Sequence, residues 1–373
     1  MIPDHDRRPQ ELVETAGQAL PTPAPDRPVA LGRALRVEKI VRETADALSF
    51  VLVDPASTPI PFEPGQYFTV EVPTSDGLLR RAYSASSAPG EHGGGIRLTV
   101  KRMEGGRASG HLHESLREGE LLTVLGPSGS FGPSPTSGMR HLVMVAGGSG
   151  ITPMMSLLRT LLPKEAQTRF SLVYGSRDVP GVIFREELEV LAQGFPKRLV
   201  VVHALDTPPA DWTGIRGPLD AKAVREQIDA LDPGDEYLVC GPEAMMDAAV
   251  QAIAASGVPS RRIRRESFAQ QPKSIPRSRV PQRVTLRHRG ATREIVQSPG
   301  QSLLEAALAS GERVPYSCGI GACGTCKARL VSGNVAMAPS AALSAAERRA
   351  GFVLQCVCHA IEPVVVEIED PPK

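Results

Sequence analysis

The sequence has almost no net charge, few aromatic residues and no long apolar run. Across 373 residues, 42 lysines and arginines face 41 aspartates and glutamates, which leaves a formal net charge of +1 and disfavours a protein that binds polyanions over its whole surface. Aromatic residues make up 4% of the chain and tryptophan occurs once, at Trp212, which argues against a stacking platform for single-stranded nucleic acid. We therefore expect no nucleic-acid partner.

Signals for membrane insertion and export are also missing. No stretch reaches the roughly 18 consecutive apolar residues of a membrane span, and the charged N-terminus lacks the apolar core of a secretory signal. We therefore expect a cytoplasmic, monomeric protein with no membrane partner. In a reducing compartment its six cysteines indicate metal or redox chemistry rather than a disulfide framework.

Composition and periodicity divide the chain into a tail, three unlike domains and a linker. Residues 1–31 are proline-rich and predict a disordered tail. Residues 32–135 contain short β-rich runs broken by glycine and proline, the pattern of an antiparallel β-barrel, whereas residues 136–268 alternate strand-like and helical runs, the pattern of an α/β domain with a parallel sheet. Residues 269–283 form a basic linker, either a solvated tether or a docking patch for an acidic redox partner, and residues 284–373 form an α+β domain.

The C-terminal domain contains a cysteine pattern typical of a cluster-binding loop. Cys318, Cys323 and Cys326 form C-x4-C-x2-C, with glycines between them that allow sharp turns and aim backbone N–H groups at sulfur. The fourth ligand is Cys356 or Cys358, and we favour Cys356 because it ends the apolar run GFVLQC. Cys358 is then a small buried apolar residue.

Two other chemistries compete for these cysteines. Cys323 and Cys326 alone resemble a thioredoxin-like dithiol, and four cysteines are able to hold structural zinc. The dithiol leaves Cys318 without a role, and structural zinc sites usually use two C-x2-C pairs. The segment from about residue 284 to 370 resembles a plant-type ferredoxin, through YSCGIGACGTC and VLQC. The resemblance implies a β-grasp fold and a 2Fe-2S cluster that carries one electron.

A second motif, in the β-rich domain, consists of Arg81, Ala82, Tyr83 and Ser84. An arginine can neutralise a phosphate, a tyrosine ring can stack on an isoalloxazine, and a serine hydroxyl can hydrogen-bond near the reactive nitrogen of a flavin. Ordinary strand pairing and turn capping also account for these residues. The sequence RAYS resembles the R-x-Y-S flavin motif of the ferredoxin reductase family, which implies a flavin here with Ser84 beside its reactive nitrogen.

About twenty residues later, Gly106, Arg107 and Ser109 lie at the start of a predicted helix spanning 107–116. Backbone N–H groups at a helix start can hold a pyrophosphate, although a glycine pair there also suits a simple hairpin. The sequence GRAS resembles the G-x-x-S phosphate loop of the same family. A pyrophosphate loop favours FAD over FMN. FMN is used by a smaller group of the family, which resembles phthalate dioxygenase reductase.

The α/β domain has a glycine-rich turn between its first strand and first helix. Gly147, Gly148 and Gly150 lead to Thr152 and Pro153, so the backbone can approach a pyrophosphate. The turn is not the G-x-G-x-x-G dinucleotide motif, because Pro153 occupies the place of the third glycine. It resembles the G-G-x-G-x-[TS]-P loop of the ferredoxin reductase family, which implies a nicotinamide coenzyme.

Two further motifs of that family occur downstream. Cys240, Gly241 and Pro242 match its C-G-P turn, and Glu266 and Phe268 match its E-x-F ending. The resemblance implies that Cys240 and Glu266 lie near the nicotinamide and flavin rings and, with Ser84, take part in hydride transfer. A buried strand-end cysteine and a simple strand end are the alternatives.

The choice between NADH and NADPH stays open at the sequence level. Ser176 and Arg177 follow the second strand of the α/β domain and are able to bind a 2′-phosphate, but an arginine there also suits an adenine or an ion pair.

Together the motifs predict an NAD(P)H oxidoreductase that passes electrons through FAD and a 2Fe-2S cluster to a partner protein. The domain order resembles reductase components of Rieske oxygenases, which implies a Rieske-type demethylase or hydroxylase as partner. A reductase for hybrid-cluster protein or for a di-iron or haem monooxygenase is the neighbouring alternative. Two more distant alternatives are a redox sensor and an interaction module that is stabilised by structural zinc and fused to a flavin reductase.

Overall fold

The computed structural model describes residues 32–74, 77–134, 139–268, 278–316, 318–319, 321, 323–338, 340 and 342–368. The predicted disordered tail, residues 1–31, lies outside them. Three main sheets follow one another along the chain. No helix within the described ranges combines the length and the hydrophobicity that crossing a bilayer requires.

The first domain is an antiparallel sheet of six strands. They are β1 (Arg33–Thr44), β2 (Ala47–Val53), β3 (Tyr67–Thr74), β4 (Gly77–Ser84), β5 (Ile96–Lys101) and β6 (Leu121–Ser128), with a short helical turn α1 (Glu91–Gly94) and the helix α2 (Arg107–Glu114). They lie in the order β4-β3-β6-β1-β2-β5. A bridge between Ala85 and Leu98 joins the two edges, so the sheet closes into the predicted barrel. Phe50 and Phe68, each at most 2% exposed, fill its interior.

The second domain is a parallel sheet with helices on both faces. Its elements are β7 (His141–Gly147), α3 (Ile151–Lys164), β8 (Arg169–Ser176), α4 (Arg185–Gly194), β9 (Leu199–Leu205), β10 (Ile215–Arg216), α5 (Ala221–Ala230), β11 (Glu236–Cys240), α6 (Glu243–Ala255) and β12 (Ile263–Glu266). The strand order is β10-β9-β8-β7-β11-β12, and every pair is parallel. The order reverses between β7 and β11. Ligands of such sheets bind at the carboxyl ends of the strands at this reversal.

The third domain is a mixed sheet with one helix packed on it. Its elements are β13 (Gln282–His288), β14 (Ala291–Gln297), α7 (Leu303–Ala309), β15 (Lys327–Ser332), β16 (Val335–Met337), α8 (Ala345–Arg349), β17 (Phe352–Leu354), β18 (Cys358–Ala360) and β19 (Val364–Ile368). The main sheet has the order β14-β13-β19-β15-β17, and β16 pairs with β18. The strand β13 begins inside the range 269–283 expected for the linker, most of which lies outside the described residues. The cysteine loop precedes β15.

Both other domains contact the barrel. Ser156 on α3 donates a hydrogen bond to the carbonyl of Ser87 at 2.7 Å, which ties the parallel sheet to the barrel. Arg80 on β4 donates to the carbonyl of Tyr316 at 2.6 Å, and its guanidinium carbon lies 4.0 Å from the centre of the Tyr316 ring. The barrel is therefore the central domain, with the cysteine loop and the glycine-rich turn on its neighbours.

Candidate functional site

The two loops predicted to hold a nicotinamide coenzyme pack directly against each other at the carboxyl ends of β7 and β11. A Cβ atom placed on Gly150 would collide with the carbonyl oxygen of Cys240, and one on Gly147 would lie 2.8 Å from the Cδ atom of Pro242. Gly241 has φ +154°, which few L side chains adopt. Glycine is therefore required at these positions for the loops to meet.

The glycine turn leads into the start of α3. The hydroxyl of Thr152 donates to the carbonyl of Ser149 at 3.0 Å, which fixes the first turn of the helix. Pro153 lies in that turn, where a backbone N–H has no partner within the helix. Gly148, at φ +52°, turns the chain from β7 toward the helix. This arrangement directs the positive end of a 14-residue helix toward the reversal of strand order, and it suits a pyrophosphate.

The three predicted catalytic residues form one contiguous group. The hydroxyl of Ser84 donates a hydrogen bond to Oε2 of Glu266 at 3.1 Å. Cys240 pairs with Glu266 in the parallel register of β11 and β12. Ser84 is 2% exposed and Cys240 is fully buried. The structure therefore brings the RAYS, C-G-P and E-x-F motifs together, although they come from two domains.

The electrostatics of this group keep it uncharged. Burial raises the pKa of Glu266 to about 8, although the hydrogen bond from Ser84 opposes the shift. Burial also raises the pKa of the Cys240 thiol, and the neighbouring Glu266 raises it further. Near pH 7 the group therefore presents a carboxylic acid, a thiol and a hydroxyl. Phe268 is partly buried and packs against the core of the parallel sheet.

The predicted flavin residues place two cations close together. Arg81 is half-buried, and its pKa is lowered by burial and by the nearby Arg107. Two neighbouring guanidinium groups suit an anion such as a phosphate. Burial raises the pKa of Tyr83 to about 12, and its side chain packs on the core of the barrel. Ala82, which lies between Arg81 and Tyr83 in the sequence, pairs with Thr69 on β3.

The GRAS segment forms the start of α2. The hydroxyl of Ser109 accepts a hydrogen bond from the backbone N–H of Met103 at 3.1 Å and donates to the carbonyl of Gly106 at 3.3 Å. A Cβ atom on Gly106 would lie 2.6 Å from this hydroxyl, so the loop requires glycine. A cleft of about 570 Å³ lies beside the loop. Its lining includes Asp46, Arg102, Met103, Arg107, His111 and Glu114. The two cations and the start of α2 fit the pyrophosphate of FAD.

The four predicted cluster ligands lie in two pairs. The sulfurs of Cys326 and Cys356 are 3.1 Å apart. The backbone N–H of Cys318 points at the sulfur of Cys323 at 3.5 Å, and the Cys318 thiol lowers the pKa of Cys323 to about 5. Within the described residues, no three ligating side chains are arranged around one ion position. Four thiols in two pairs, with an N–H directed at sulfur, fit a 2Fe-2S cluster.

Cys358 is the other candidate for the fourth ligand, and it shares an apolar core with Cys326 and Cys356. It is fully buried in β18, where it pairs with Met337 on β16, and it belongs to the apolar core of the domain. Burial raises the pKa of its thiol, and the nearby Cys326 raises it further. These surroundings suit a small apolar residue. The assignment of Cys356 as the fourth ligand stays a prediction, which the 3.1 Å contact with Cys326 supports.

One residue of the site, Tyr67, carried no motif in the sequence. It pairs with Ser84 across β3 and β4, is 5% exposed, and its hydroxyl is buried. Burial raises the pKa of this hydroxyl, and the sulfurs of Cys318 and Cys323 and then the carboxyl of Glu266 raise it further. Tyr67 therefore lies between the Ser84–Glu266 pair and the cysteine loop, where the two sites meet.

Comparison with known proteins identifies all three domains. Residues 34–132 match the oxidoreductase FAD-binding domain, residues 144–251 the oxidoreductase NAD-binding domain, and residues 286–360 the 2Fe-2S iron-sulfur cluster binding domain. The predicted flavin, nicotinamide and iron-sulfur chemistry is therefore confirmed.

Two relatives and a solved structure match over most of their length. The chain is 36% identical over 345 residues to a 1,2-phenylacetyl-CoA epoxidase component from Escherichia coli K12, covering 87% of this chain and 93% of the relative. It is 32% identical over 341 residues to the ferredoxin reductase component of 3-ketosteroid-9-alpha-monooxygenase of Rhodococcus rhodochrous, covering 86% and 92%. The structure of phthalate dioxygenase reductase superposes with a TM-score of 0.65 at 28% identity, covering 90% and 98%. With its FAD-binding barrel, NAD-binding parallel sheet and C-terminal 2Fe-2S domain, the chain belongs to the ferredoxin-reductase-type family of oxygenase reductase components.

Proposed function

We propose that this protein passes electrons from NAD(P)H to a Rieske-type oxygenase, a demethylase or a hydroxylase, in the cytoplasm and as a monomer. The observation that carries the proposal is the direct contact of the three sites. Ser84 of the barrel hydrogen-bonds Glu266 of the nicotinamide domain, and Tyr67 of the barrel lies beside the cysteine loop. When bound, FAD and the 2Fe-2S cluster together convert the two electrons of a hydride into single electrons.

The residues at the place where the nicotinamide and flavin rings would meet orient the rings and shield them from water. Ser84, which is nearly fully buried, and the enclosed carboxyl of Glu266 exclude water from the place where nicotinamide and flavin rings would meet. Because Glu266 holds its proton up to about pH 8, no negative charge opposes the arrival of a hydride. Cys240 stays a neutral thiol for the same reason, since burial raises its pKa.

The residues around the two phosphate sites bind the flavin and the nicotinamide coenzyme and position them. Arg81 and Arg107 offer positive charge to a flavin pyrophosphate at the start of α2, and the Gly147–Gly150 turn leaves room for the pyrophosphate of the coenzyme. Cys318, Cys323, Cys326 and Cys356 would hold the cluster against the barrel. Ser84 and Tyr67 of the barrel would then lie between the nicotinamide site and the cluster site, where the flavin ring would link the two.

Support for an oxygenase partner comes from the relatives. A ketosteroid monooxygenase reductase component and phthalate dioxygenase reductase match over nine-tenths or more of their length. A second candidate partner is an epoxidase, which the 36% identity to an epoxidase component favours. The two candidates differ only in the external acceptor.

The test is reduction of purified candidate acceptors under anaerobic conditions. NADH or NADPH is first titrated into the protein while flavin and iron-sulfur absorbance are followed, and an oxygenase component of either type is then added in excess. We expect both centres to bleach and a Rieske cluster to be reduced at a rate that saturates with oxygenase concentration. Cys356→Ser should abolish transfer while flavin still bleaches, whereas the matched variant Cys358→Ser should retain it. Saturable reduction of the epoxidase component alone would replace the Rieske assignment, and bleaching of flavin without iron-sulfur absorbance would refute the relay.

A further inference from the structure

The nicotinamide domain carries opposite charges where the adenosine end of a coenzyme would lie. Arg177 and Asp178 follow directly after β8, the strand beside β7, whose carboxyl end forms the glycine turn. In dinucleotide-binding sheets the end of this neighbouring strand meets the adenine ribose, where an acid accepts the 2′-hydroxyl of NADH or an arginine accepts the 2′-phosphate of NADPH. The sequence contains both residue types here, so it does not decide between the coenzymes.

The structure adds a third charged residue, from the other domain. Nη2 of Arg177 lies 3.2 Å from Oδ2 of Asp46, which belongs to the turn between β1 and β2 of the barrel. Nε of Arg177 lies 3.7 Å from Oδ2 of Asp178. The guanidinium is thus flanked by two carboxylates, one from each domain, although its side chain keeps 61% of its surface exposed.

Asp46 is held in place by further contacts. Its Oδ2 atom lies 3.6 Å from Nζ of Lys101, and its Oδ1 atom accepts a hydrogen bond from the hydroxyl of Thr44 at 2.8 Å. Partial burial raises the pKa of Asp46, but Thr44, Lys101 and Arg177 together lower it below its usual value. The carboxylate is therefore charged at neutral pH and fixed on the barrel.

The two coenzymes meet this arrangement differently. A 2′-phosphate carries about 1.5 to 2 negative charges near pH 7 and must either displace Asp46 from Arg177 or lie beside two carboxylates. A 2′-hydroxyl carries no charge and is able to donate a hydrogen bond to either carboxylate. The electrostatic cost of lying beside these carboxylates, or of displacing Asp46, therefore applies to NADPH and not to NADH.

We propose that Asp46 is a specificity-determining residue which selects NADH over NADPH by occupying Arg177 from across the domain interface. The inference rests on the proposed function, in which a nicotinamide coenzyme is the electron donor. It assigns the choice of coenzyme to a barrel residue 131 positions away in sequence from the arginine it controls.

The test compares kcat/KM for NADH and NADPH in the FAD- and cluster-loaded protein, with ferricyanide as acceptor, together with calorimetric affinities for NAD⁺ and NADP⁺. The variants are Asp46→Asn, which keeps the size of the side chain, the double variant Asp46→Asn with Arg177→Ala, and Asp211→Asn as a matched control. Asp211 is an exposed aspartate of the nicotinamide domain that contains Arg177, and it takes no part in these contacts.

We expect the wild type to favour NADH, and Asp46→Asn to shift the ratio of kcat/KM values toward NADPH by roughly threefold, the equivalent of about 0.6 kcal/mol for one released, partly exposed ion pair. The NADP⁺ affinity should rise in parallel, the gain should vanish in the double variant, and Asp211→Asn should keep the wild-type ratio. A wild type that prefers NADPH, or an unchanged ratio in folded Asp46→Asn, would overturn the inference. Failure of both coenzymes to bleach the flavin would instead overturn the proposed function, and the inference with it.

Discussion

Replacing Glu266 by glutamine should change how stability depends on pH. The residue is half-buried and its carboxyl is enclosed beside Ser84, and burial raises its pKa from 4.5 to about 8. Because the folded protein holds this proton more tightly than the unfolded chain, the associated stability is fully present below about pH 4.5 and is lost as pH rises through about 8. The difference between pKa values of 4.5 and about 8 corresponds to at most about 5 kcal/mol of unfolding free energy, and we expect a loss of about 2 to 5 kcal/mol.

The assay is urea unfolding followed by tryptophan fluorescence at about pH 5 and about pH 8. Trp212 is the only tryptophan, packs against the core of the nicotinamide domain and donates its indole N–H to the carbonyl of Ile215 at 3.1 Å, so it reports on the domain that contains Glu266. Glutamine keeps an acceptor for Ser84 but does not ionise. The wild type should lose stability relative to Glu266→Gln between the two pH values, whereas an exposed control, Glu226→Gln, should show no such difference. A change of less than about 1 kcal/mol between wild type and Glu266→Gln would refute a raised pKa at this carboxyl.

Three further predictions concern the other sites. Cys356→Ser should lose the iron-sulfur absorbance that Cys358→Ser retains, and loss in Cys358→Ser alone would reverse the ligand assignment. Gly150→Ala should weaken NAD⁺ binding in calorimetry or lower the melting temperature, because its Cβ atom would collide with the carbonyl oxygen of Cys240. Wild-type values for both would show that the glycine turn and the C-G-P turn separate without loss of binding or stability. Ser302→Ala should destabilise the ferredoxin domain by about 1 kcal/mol in thermal unfolding, since it removes the capping box of α7, and no change would mean that the cap is dispensable.

Local features of the fold and the site follow from the sequence. The β-rich runs, the glycine turns and the cysteine loop are predictable because periodicity and backbone conformation depend on neighbouring residues. The contacts of Ser84 with Glu266 and of Arg80 with Tyr316 span 182 and 236 positions. No local pattern encodes them, because they depend on how complete domains settle against one another. Tyr67 was missed for a related reason, since an aromatic residue in a strand is ordinary core material until its surroundings are known.

The contact between Arg80 and Tyr316 has a consequence for the order of events during turnover. Tyr316 lies two positions before Cys318, so the side of the loop that faces Arg80 is covered by the barrel. A large acceptor protein must bind another side of the cysteine loop, or bind only after the ferredoxin domain has separated from Arg80. Separation breaks this hydrogen bond and this cation–π contact, worth about 1 kcal/mol each, and it also parts Tyr67 from the cysteine loop. Where the acceptor binds the covered side, separation of the ferredoxin domain from the barrel must precede each transfer, and the rate of that separation is an upper limit on electron flow to the acceptor.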